Sequence, residues 1–300
     1  MLSIVSYPER GNDGRNSYRG NCSGKLIEDL INQYKVQSIN DYMVGSGTTE
    51  HVAARMGIES HCYDLNRGFD VMSMDLPERS SFTFWHPPYG SMIIYSGEQY
   101  SAEDVLNRYG FDPRVNDLSR CRNWDEFVEK MNYCCMKMFS ALDKGGRLAV
   151  LMGDYKQKGK LYSMLADIVK PGCLEQIIIK AQHNCMSYGK SYASKNFVPI
   201  CHEYVMVVKK ENSLYYEISL PKKVRVDIRD MDGTATWRDV VYAVIENNGG
   251  RAMTLSDLYA QIDGHKKAQK NANWRAKVRQ TLQLHPELFR QEGRGVWCAA

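Results

Sequence analysis

Over roughly its first two hundred residues the chain alternates short β-branched or aromatic runs with stretches of helical period, the pattern of a parallel sheet covered by helices. A doubly wound α/β domain is therefore expected. A helix is predicted over Gly24–Tyr34, with Leu26, Ile27, Leu30 and Ile31 on one face and Ser23 as N-cap. Next come a strand over 36–43, the turn Gly45-Ser46-Gly47, and a helix over Thr48–Met56 closed by Gly57. Strands are expected over 60–64 and 81–85, with a short element around 69–72. Pro87-Pro88 stops the strand over 81–85, because proline donates nothing to a ladder. Residues 91–124 lack clear periodicity and read as a long loop or small insertion, which in a compact domain is more often functional than idle. The strongest helix covers 125–142, with Phe127, Val128, Met131, Cys134, Cys135, Met138, Phe139 and Leu142 at core spacing, and Gly145-Gly146 ends it. A strand over 147–152, a helix over 161–170, a strand over 174–180 and its antiparallel partner His202–Lys209 complete this part, with the polar stretch 182–196 as connector.

The remaining length leaves room for a second domain. Residues 1–210 are expected to form the first, 211–235 a linker holding Pro221 and Gly233, and 236–300 the second. Helical stretches over 236–246, Leu255–Ile262 and Trp274–Leu284 precede a terminal hairpin around Glu292-Gly293-Arg294-Gly295. Three helices plus a hairpin make a winged helix-turn-helix, although the order alone fits other small helical domains. Trp237, Val241, Ile245, Leu258, Ile262, Trp274, Val278 and Leu282 are its expected core. The formal charge of +4 is unevenly placed: residues 221–300 hold 14 Lys/Arg against 9 Asp/Glu, and residues 1–220 hold 25 against 26. That asymmetry points to an anionic partner for the last quarter. With 43% hydrophobic and 25% charged residues, disorder and collagen are excluded. The nine cysteines are scattered and never spaced C-x-x-C, so no zinc ribbon, metal site or disulfide scaffold is indicated. No apolar run approaches the ~18 residues of a membrane helix, and the first ten residues lack a signal pattern, so a cytoplasmic protein with no membrane partner is expected.

Three constellations carry chemistry. Asp41 to Thr49 includes Met43, Gly45, Gly47 and Thr48 and lies where a strand end runs into a helix. Glycines there let a ligand approach the backbone, and the helix start offers free N–H groups. Glu50 occupies the place of a third fingerprint glycine, so pyrophosphate binding is not the best reading. Asp64, 23 residues after Asp41 and at the end of the next expected strand, fits a carboxylate that accepts ribose hydroxyls. Phe82-Thr83-Phe84-Trp85-His86-Pro87-Pro88-Tyr89 ends a strand in a polar residue, two prolines and an aromatic, a rigid lip at the carboxyl edge of the sheet.

In these residues the chain resembles the S-adenosylmethionine-dependent DNA amino-methyltransferases, which act on adenine N6 or cytosine N4 and carry an (Asp/Asn/Ser)-Pro-Pro-(Tyr/Phe/Trp) tetrapeptide. The resemblance spans residues 17–209 and implies a Rossmann-like, mostly parallel sheet of the class I methyltransferase kind. It likens Asp41 to Thr49 to the family's cofactor loop, Asp64 to its ribose-binding acid and Asp70 to the residue beside the adenine ring. Asn21, Cys22 and Ser23 resemble the segment that closes over the methionine end of S-adenosylmethionine. His86, Pro87, Pro88 and Tyr89 then form the catalytic tetrapeptide. An exocyclic amine is a poor nucleophile because its lone pair is delocalised into the base. Two acceptors, the first side chain and the Pro87 carbonyl, can hold its hydrogens while Tyr89 stacks on a flipped base. The Pro-Cys nucleophile of cytosine-C5 enzymes is absent. His86 departs from the pattern. A neutral imidazole offers one acceptor nitrogen and a protonated one offers none, so activity is expected to fall in mildly acidic solution, and a flat profile down to about pH 5 would count against His86 as acceptor.

Lesser signals are Asp154-Tyr155, which could border a base pocket, and His202-Glu203, read as a half-buried strand pair. Tyr95, Tyr100, Arg108, Arg114, Arg120 and Arg122, and likewise Tyr188, Lys190, Tyr192 and Lys195, could contact nucleic acid. In the second domain Lys266, Lys267, Lys270, Arg275, Lys277 and Arg279 fall in an acid-free stretch and suit a duplex, the helix in a major groove and the lysines before it on phosphates. The combined reading is a site-specific methyltransferase for adenine N6 in double-stranded DNA. Its alternatives are cytosine N4 in DNA, an RNA amino group, and an inactive DNA-binding regulator. A homodimer and a cognate restriction endonuclease are the further partners this reading admits.

Overall fold

Alternation along the central strands decides the architecture of the computed structural model. It describes residues 1–15, 17–157, 159–183, 197–221 and 235–300, so the calls on residues 184–196, Tyr188, Lys190, Tyr192 and Lys195 among them, and on 222–234 lie outside the described residues. Two units are separated, Met1–Pro221 and Lys222–Ala300.

The strands of the first unit are β1 (Ile4–Ser6), β2 (Ser38–Asp41), β3 (Glu59–Cys62), β4 (Ser80–Trp85), β5 (Leu142–Met152), β6 (Asp154–Gln157), β7 (Lys160–Ser163), β8 (Lys170–Pro171), β9 (Cys173–Ala181), β10 (His202–Lys209) and β11 (Ile218–Ser219). Among the described residues seven of them form one sheet in the order β1-β9-β10-β5-β4-β2-β3. The pairs β2–β3, β2–β4, β4–β5 and β1–β9 are parallel, and β10 runs antiparallel to both its neighbours. Helices α1 (Gly24–Tyr34) and α2 (Thr48–Met56) cover one face, where Leu26, Ile27, Leu30 and Val52 meet Phe82, Phe84, Ala149, Leu151, Val205 and Val207. After α3 (Ala102–Tyr109), helices α4 (Trp124–Ser140) and α5 (Met164–Asp167) cover the other face, where Met131, Cys135 and Met138 meet Trp85, Leu148, Val150, Met206 and Val208. Consecutive strand residues thus enter opposite cores, the period of two that a doubly covered sheet demands. This is the expected Rossmann-like, mostly parallel sheet.

Several local expectations change. The helix over 161–170 shrinks to one turn, because Lys160–Ser163 pairs with Asp154–Gln157 and stacks Tyr162 on Tyr155 at 5.1 Å. The Ser163 hydroxyl accepts from Ala166 N–H and starts the turn, and extended Ile168 ends it. Residues 91–124 are not structureless: α3 and three 3₁₀ turns occupy them, with Ser101, Asp112 and Asp117 capping successive starts. Around 69–72 the chain turns without forming a strand. Ser23 holds the N-cap position of α1 but does not cap it, since its hydroxyl donates to Arg10 C=O. Strand β5 begins before Gly145-Gly146, not after it. Part of the expected linker belongs to the first unit: β11 pairs with β8, and Tyr216 packs edge-on against Phe139 and bonds Ser140.

The second unit holds α6 (Trp237–Asn247), β12 (Met253–Thr254), α7 (Leu255–Ile262), α8 (Lys266–Gln269), α9 (Trp274–Leu284), β13 (Phe289–Gly293) and β14 (Val296–Ala299). Thr236 with Asp239 and Thr254 with Asp257 close reciprocal capping boxes at the starts of α6 and α7. Val241, Ile245, Leu258, Ile262, Val278 and Leu282 are fully buried in its core, with Trp237 half-buried against them. β14 pairs with β12 on one side and β13 on the other, all antiparallel.

Candidate functional site

The carboxyl ends of β2, β3 and β4 converge on a cavity lined by Asp41, Asp64 and His86 among others. Asp41, at the end of β2, accepts from Met43 N–H at 2.9 Å and from the Thr49 hydroxyl at 2.6 Å, which ties the glycine loop to the start of α2. Burial pushes its carboxyl up to about 7, with those two bonds acting the other way. Gly45 and Gly47 take φ of +56° and +93°, values that strain any other residue. Gly45 N–H thereby reaches Asp64 Oδ2 at 2.8 Å, and Asn66 N–H reaches Oδ1 at 3.0 Å. Burial raises the Asp64 carboxyl above the ordinary range, against the pull of these N–H groups.

Of the expected cofactor residues, Asn21, Cys22, Asp41, Met43, Gly45, Thr48, Asp64 and Asp70 line this one cavity. Gly47 does not; it caps α2. Ser23 lines a neighbouring cavity instead. Asn21 is fixed by Ser46, whose hydroxyl donates to its Oδ1 at 2.8 Å, and itself donates to Arg15 C=O. Burial pushes the Cys22 thiol up to about 12, so it is an inert wall group. Asp70 accepts from Met72 N–H, the Ser73 hydroxyl and Asn116 Nδ2. Thr48 Oγ1 is buried and without a hydrogen-bond partner among the described residues.

Tyr18, Tyr95, Tyr100 and Asn116 also line the cavity and were not legible as cofactor residues. Tyr95 and Tyr100 come from the segment read as nucleic-acid contacting. Its arginines are engaged within the chain: Arg114 with Asp112 and Glu103, Arg122 with Glu126, Arg120 with Ser96 C=O, and Arg108 over the Tyr109 ring.

His86 leaves β4 into the wall between this cavity and a second, larger one; Gly20, Asn21, His86 and Tyr95 line both. Pro88 borders the first cavity, and Pro87 and Tyr89 the second. Asp154 and Tyr155 line the second, as the sequence allowed. Glu203 does too, and it is more than half of a strand pair: it is buried and accepts from Lys180 Nζ at 2.7 Å and the Tyr89 hydroxyl at 2.7 Å. Tyr89 Oη lies 3.0 Å from His86 Nε2. The His86 ring keeps part of its surface on the cavities, and burial of the rest pushes its pKa down to about 4, with Glu203 pulling it back and Lys180 adding to the fall. Burial thus favours the neutral ring and moves the expected loss of its acceptor to lower pH than an ordinary imidazole would show. Glu203 stays below the ordinary carboxylate range, because burial, which would raise it, is outweighed by Lys180, by His86 and by the bonds from Lys180 and Tyr89. A charge inside each of two apolar strand runs, ILE-ILE-ILE-LYS at 177–180 and the run from His202, was the signal available for these residues.

In the second unit the six expected cations lie on α8, α9 and the turn between them. At about 100° per residue, Arg275 and Arg279 share one flank of α9 and Lys277 takes the other. Arg279 donates to Tyr259 Oη at 2.8 Å, Arg275 sits 5.0 Å over the Trp274 ring, and Lys267 lies over Trp237. Exposed Ala276, Gln280 and Gln283 lie between the flanks.

No helix among the described residues is long and apolar enough to cross a membrane. No family model and no curated protein matches the chain. Among solved structures it is similar to TrmN from Thermus thermophilus, at 14% identity and a TM-score of 0.29, over 64% of this chain and 50% of that one. It is also similar to an rRNA methylase from Streptococcus thermophilus, at 11% and 0.27, over 62% and 96%. A third likeness, at 9% and 0.24 over 71% and 79%, is to the glycopeptide N-methyltransferase MtfA complexed with S-adenosyl-L-homocysteine. The chain spans half the length of the first of these. At such low scores the likenesses carry no argument, and the geometry of the two cavities stands by itself.

Proposed function

We propose that the first unit transfers a methyl group from S-adenosylmethionine to the exocyclic amine of a nucleobase, with adenine N6 in duplex DNA the favoured target ahead of cytosine N4. The observation that carries this reading is His86 in the shared wall of two cavities, one with a buried carboxylate at a strand end and the other lined by Pro87 and Tyr89. The residues of the first cavity fit the cofactor. Asp64 has lone pairs left for ribose hydroxyls, and Asp70, Asn21 and Gly45, on the same cavity, would hold the adenine and the amino-acid end. Thr48 Oγ1 is an orphaned buried polar atom at a helix start, the kind of group a polar ligand satisfies.

When bound, S-adenosylmethionine supplies an electrophilic methyl sulfonium. The chain's own residues do the rest. Neutral His86 accepts one amine hydrogen and the Pro87 carbonyl the other, which localises the nitrogen lone pair. Tyr89, backed by Gly153, where a Cβ would overlap its ring, offers a face for the base. Catalysis is chiefly positioning for in-line transfer. The second unit, read as a winged helix, would place Gln280 and Gln283 toward base edges and the flanking cations on phosphates. An RNA amino group is the second reading, favoured by the aromatic side chains that line the second cavity, Tyr7, Tyr95, Tyr155 and Phe197 among them, on which unpaired bases can stack.

Nucleoside mass spectrometry on DNA and RNA from cells expressing the chain, with His86→Ala as control, tests the proposal. N6-methyladenine in DNA only with the intact chain is expected. A methylated base confined to RNA would move the target, and none in either polymer, from folded protein that binds S-adenosylhomocysteine, would favour the inactive regulator.

A further inference from the structure

Four side chains from three strand regions form one hydrogen-bonded line from a buried ion pair to the candidate acceptor. Lys180 on β9 and Glu203 on β10 are direct cross-strand partners, and His86 and Tyr89 follow β4. Their contacts are Lys180 Nζ to Glu203 Oε2 at 2.7 Å, Tyr89 Oη to Glu203 Oε1 at 2.7 Å, and Tyr89 Oη to His86 Nε2 at 3.0 Å. The two charged side chains are about one-tenth exposed.

We propose that Lys180, Glu203 and Tyr89 are positioning residues that fix the tautomer of His86, placing its proton on Nε2 and leaving Nδ1 as the acceptor. The use of Nδ1 for a substrate amine rests on the methyl-transfer reading; the tautomer does not. The logic is one of donors and acceptors. An ammonium can only donate, so Lys180 holds Glu203 as a carboxylate, which can only accept. The single Tyr89 proton is therefore committed to Glu203, since the alternative sets oxygen lone pairs against each other in a buried site. Its oxygen can then only accept from His86, which puts the ring proton on Nε2. Among the described residues Nδ1 has no hydrogen-bond partner, and His86 lines both cavities. In a buried chain each bond polarises the next, so the preference is transmitted along it.

Glu203→Gln keeps the shape and inverts the logic. Lys180 demands the amide oxygen, so the amide NH₂ faces Tyr89 and donates to it. The tyrosine hydroxyl turns to donate to Nε2, and the His86 proton moves to Nδ1, now a donor toward the amine. Long-range proton–nitrogen correlation spectra of histidine-labelled protein read the tautomer directly, with the His86 signals assigned by their absence in His86→Ala. The expected results are Nε2–H in the wild type and Nδ1–H in Glu203→Gln. Single-turnover methyl transfer should fall on the order of 100-fold or more, with S-adenosylhomocysteine affinity changed less than about twofold. In a Tyr89→Phe background the line is cut, so Glu203→Gln should have no further effect on either readout. Nδ1–H in the wild type, a measurement that needs no variant to fold, overturns the proposal. So does an unchanged tautomer in Glu203→Gln, or a switched tautomer with undiminished transfer. The tautomers as stated, with no base methylated in any nucleic acid, would keep the relay and sink the methyl-transfer reading.

Discussion

Acidification is the perturbation that most sharply tests His86 as acceptor. Burial, the largest influence on the ring, holds its pKa down to about 4, with Lys180 adding to that effect and Glu203 opposing it. At pH 5.5 a group with a pKa of about 4 is about 3% protonated, whereas one at the ordinary value of 6.5 is about 90% protonated. Lowering the pH from 7.5 to 5.5 should therefore cost the acceptor less than about 5% of its working form instead of a tenfold loss. The assay is single-turnover methyl transfer from pH 8 to 5, expressed as the ratio of wild type to His86→Asn. The asparagine offers an acceptor that does not titrate, and the ratio cancels groups common to both, Asp41 with its pKa of about 7 among them. The same shift acts on stability. Between 6.5 and 4 the unfolded chain takes up a proton that native His86 refuses, so this contribution is intact above 6.5 and lost as pH falls through about 4, on the order of 3 kcal/mol in all. Circular dichroism at each pH separates that loss from loss of the acceptor. A ratio falling tenfold with a midpoint near 6.5 in folded protein would refute the reasoning, because the imidazole would then be as solvated as a free one.

Asp64→Ala removes the carboxylate proposed for the ribose hydroxyls and should weaken S-adenosylhomocysteine binding by about 10- to 100-fold in calorimetry, from the ~1.5–3 kcal/mol of hydrogen bonds to a charged group; unchanged affinity would place the ribose elsewhere. Phe139→Ala empties a fully buried site between α4 and Tyr216 and should lower the unfolding free energy of the first unit by about 3–5 kcal/mol in urea, with a loss under 1 kcal/mol contradicting the packing described. Arg279→Ala should weaken duplex binding about equally for all sequences and reduce the slope of log K against log salt by about one unit; loss of preference for a single base pair would make it a reader, not a phosphate contact.

How much was legible follows the range of the interactions concerned. α1, α2, α7 and α9 could be read because each carries its own apolar stripe, with Gly57 closing α2. The lining of the first cavity was largely legible, since Asp41, Gly45 and Asp64 lie at or just beyond strand ends that a parallel sheet gathers by construction. Residues 91–124 were opaque because their turns are started by single caps and held by Asp117, whose four bonds to Ser96 and Ser119 have no periodic trace. Lys180 and Glu203 were read as ordinary strand residues because their meeting depends on the register of β9 against β10, with a bulge between Val207 and Val208, and no pattern within either strand encodes that register.

A histidine makes a heavier demand than the amide, carboxylate or hydroxyl it replaces in the resembling tetrapeptide: it must be oriented and also held in one tautomer. That demand accounts for a buried ion pair that is otherwise hard to justify, since taking Lys180 and Glu203 out of water costs about as much as their attraction returns. If the pair exists for His86, an apolar replacement of similar size should keep the fold and lose the chemistry. Lys180→Met combined with Glu203→Leu should leave the unfolding free energy unchanged or raised by about 1–4 kcal/mol. Methyl transfer should fall nevertheless, because Tyr89 and His86 lose their fixed donor direction, and the His86 spectrum should show both tautomers. Denaturant unfolding, single-turnover transfer and the nitrogen spectrum on one preparation decide it. A double variant destabilised by several kcal/mol with its tautomer intact would mean that the pair serves the sheet, and that the single orientation of His86 is imposed by the walls of the two cavities.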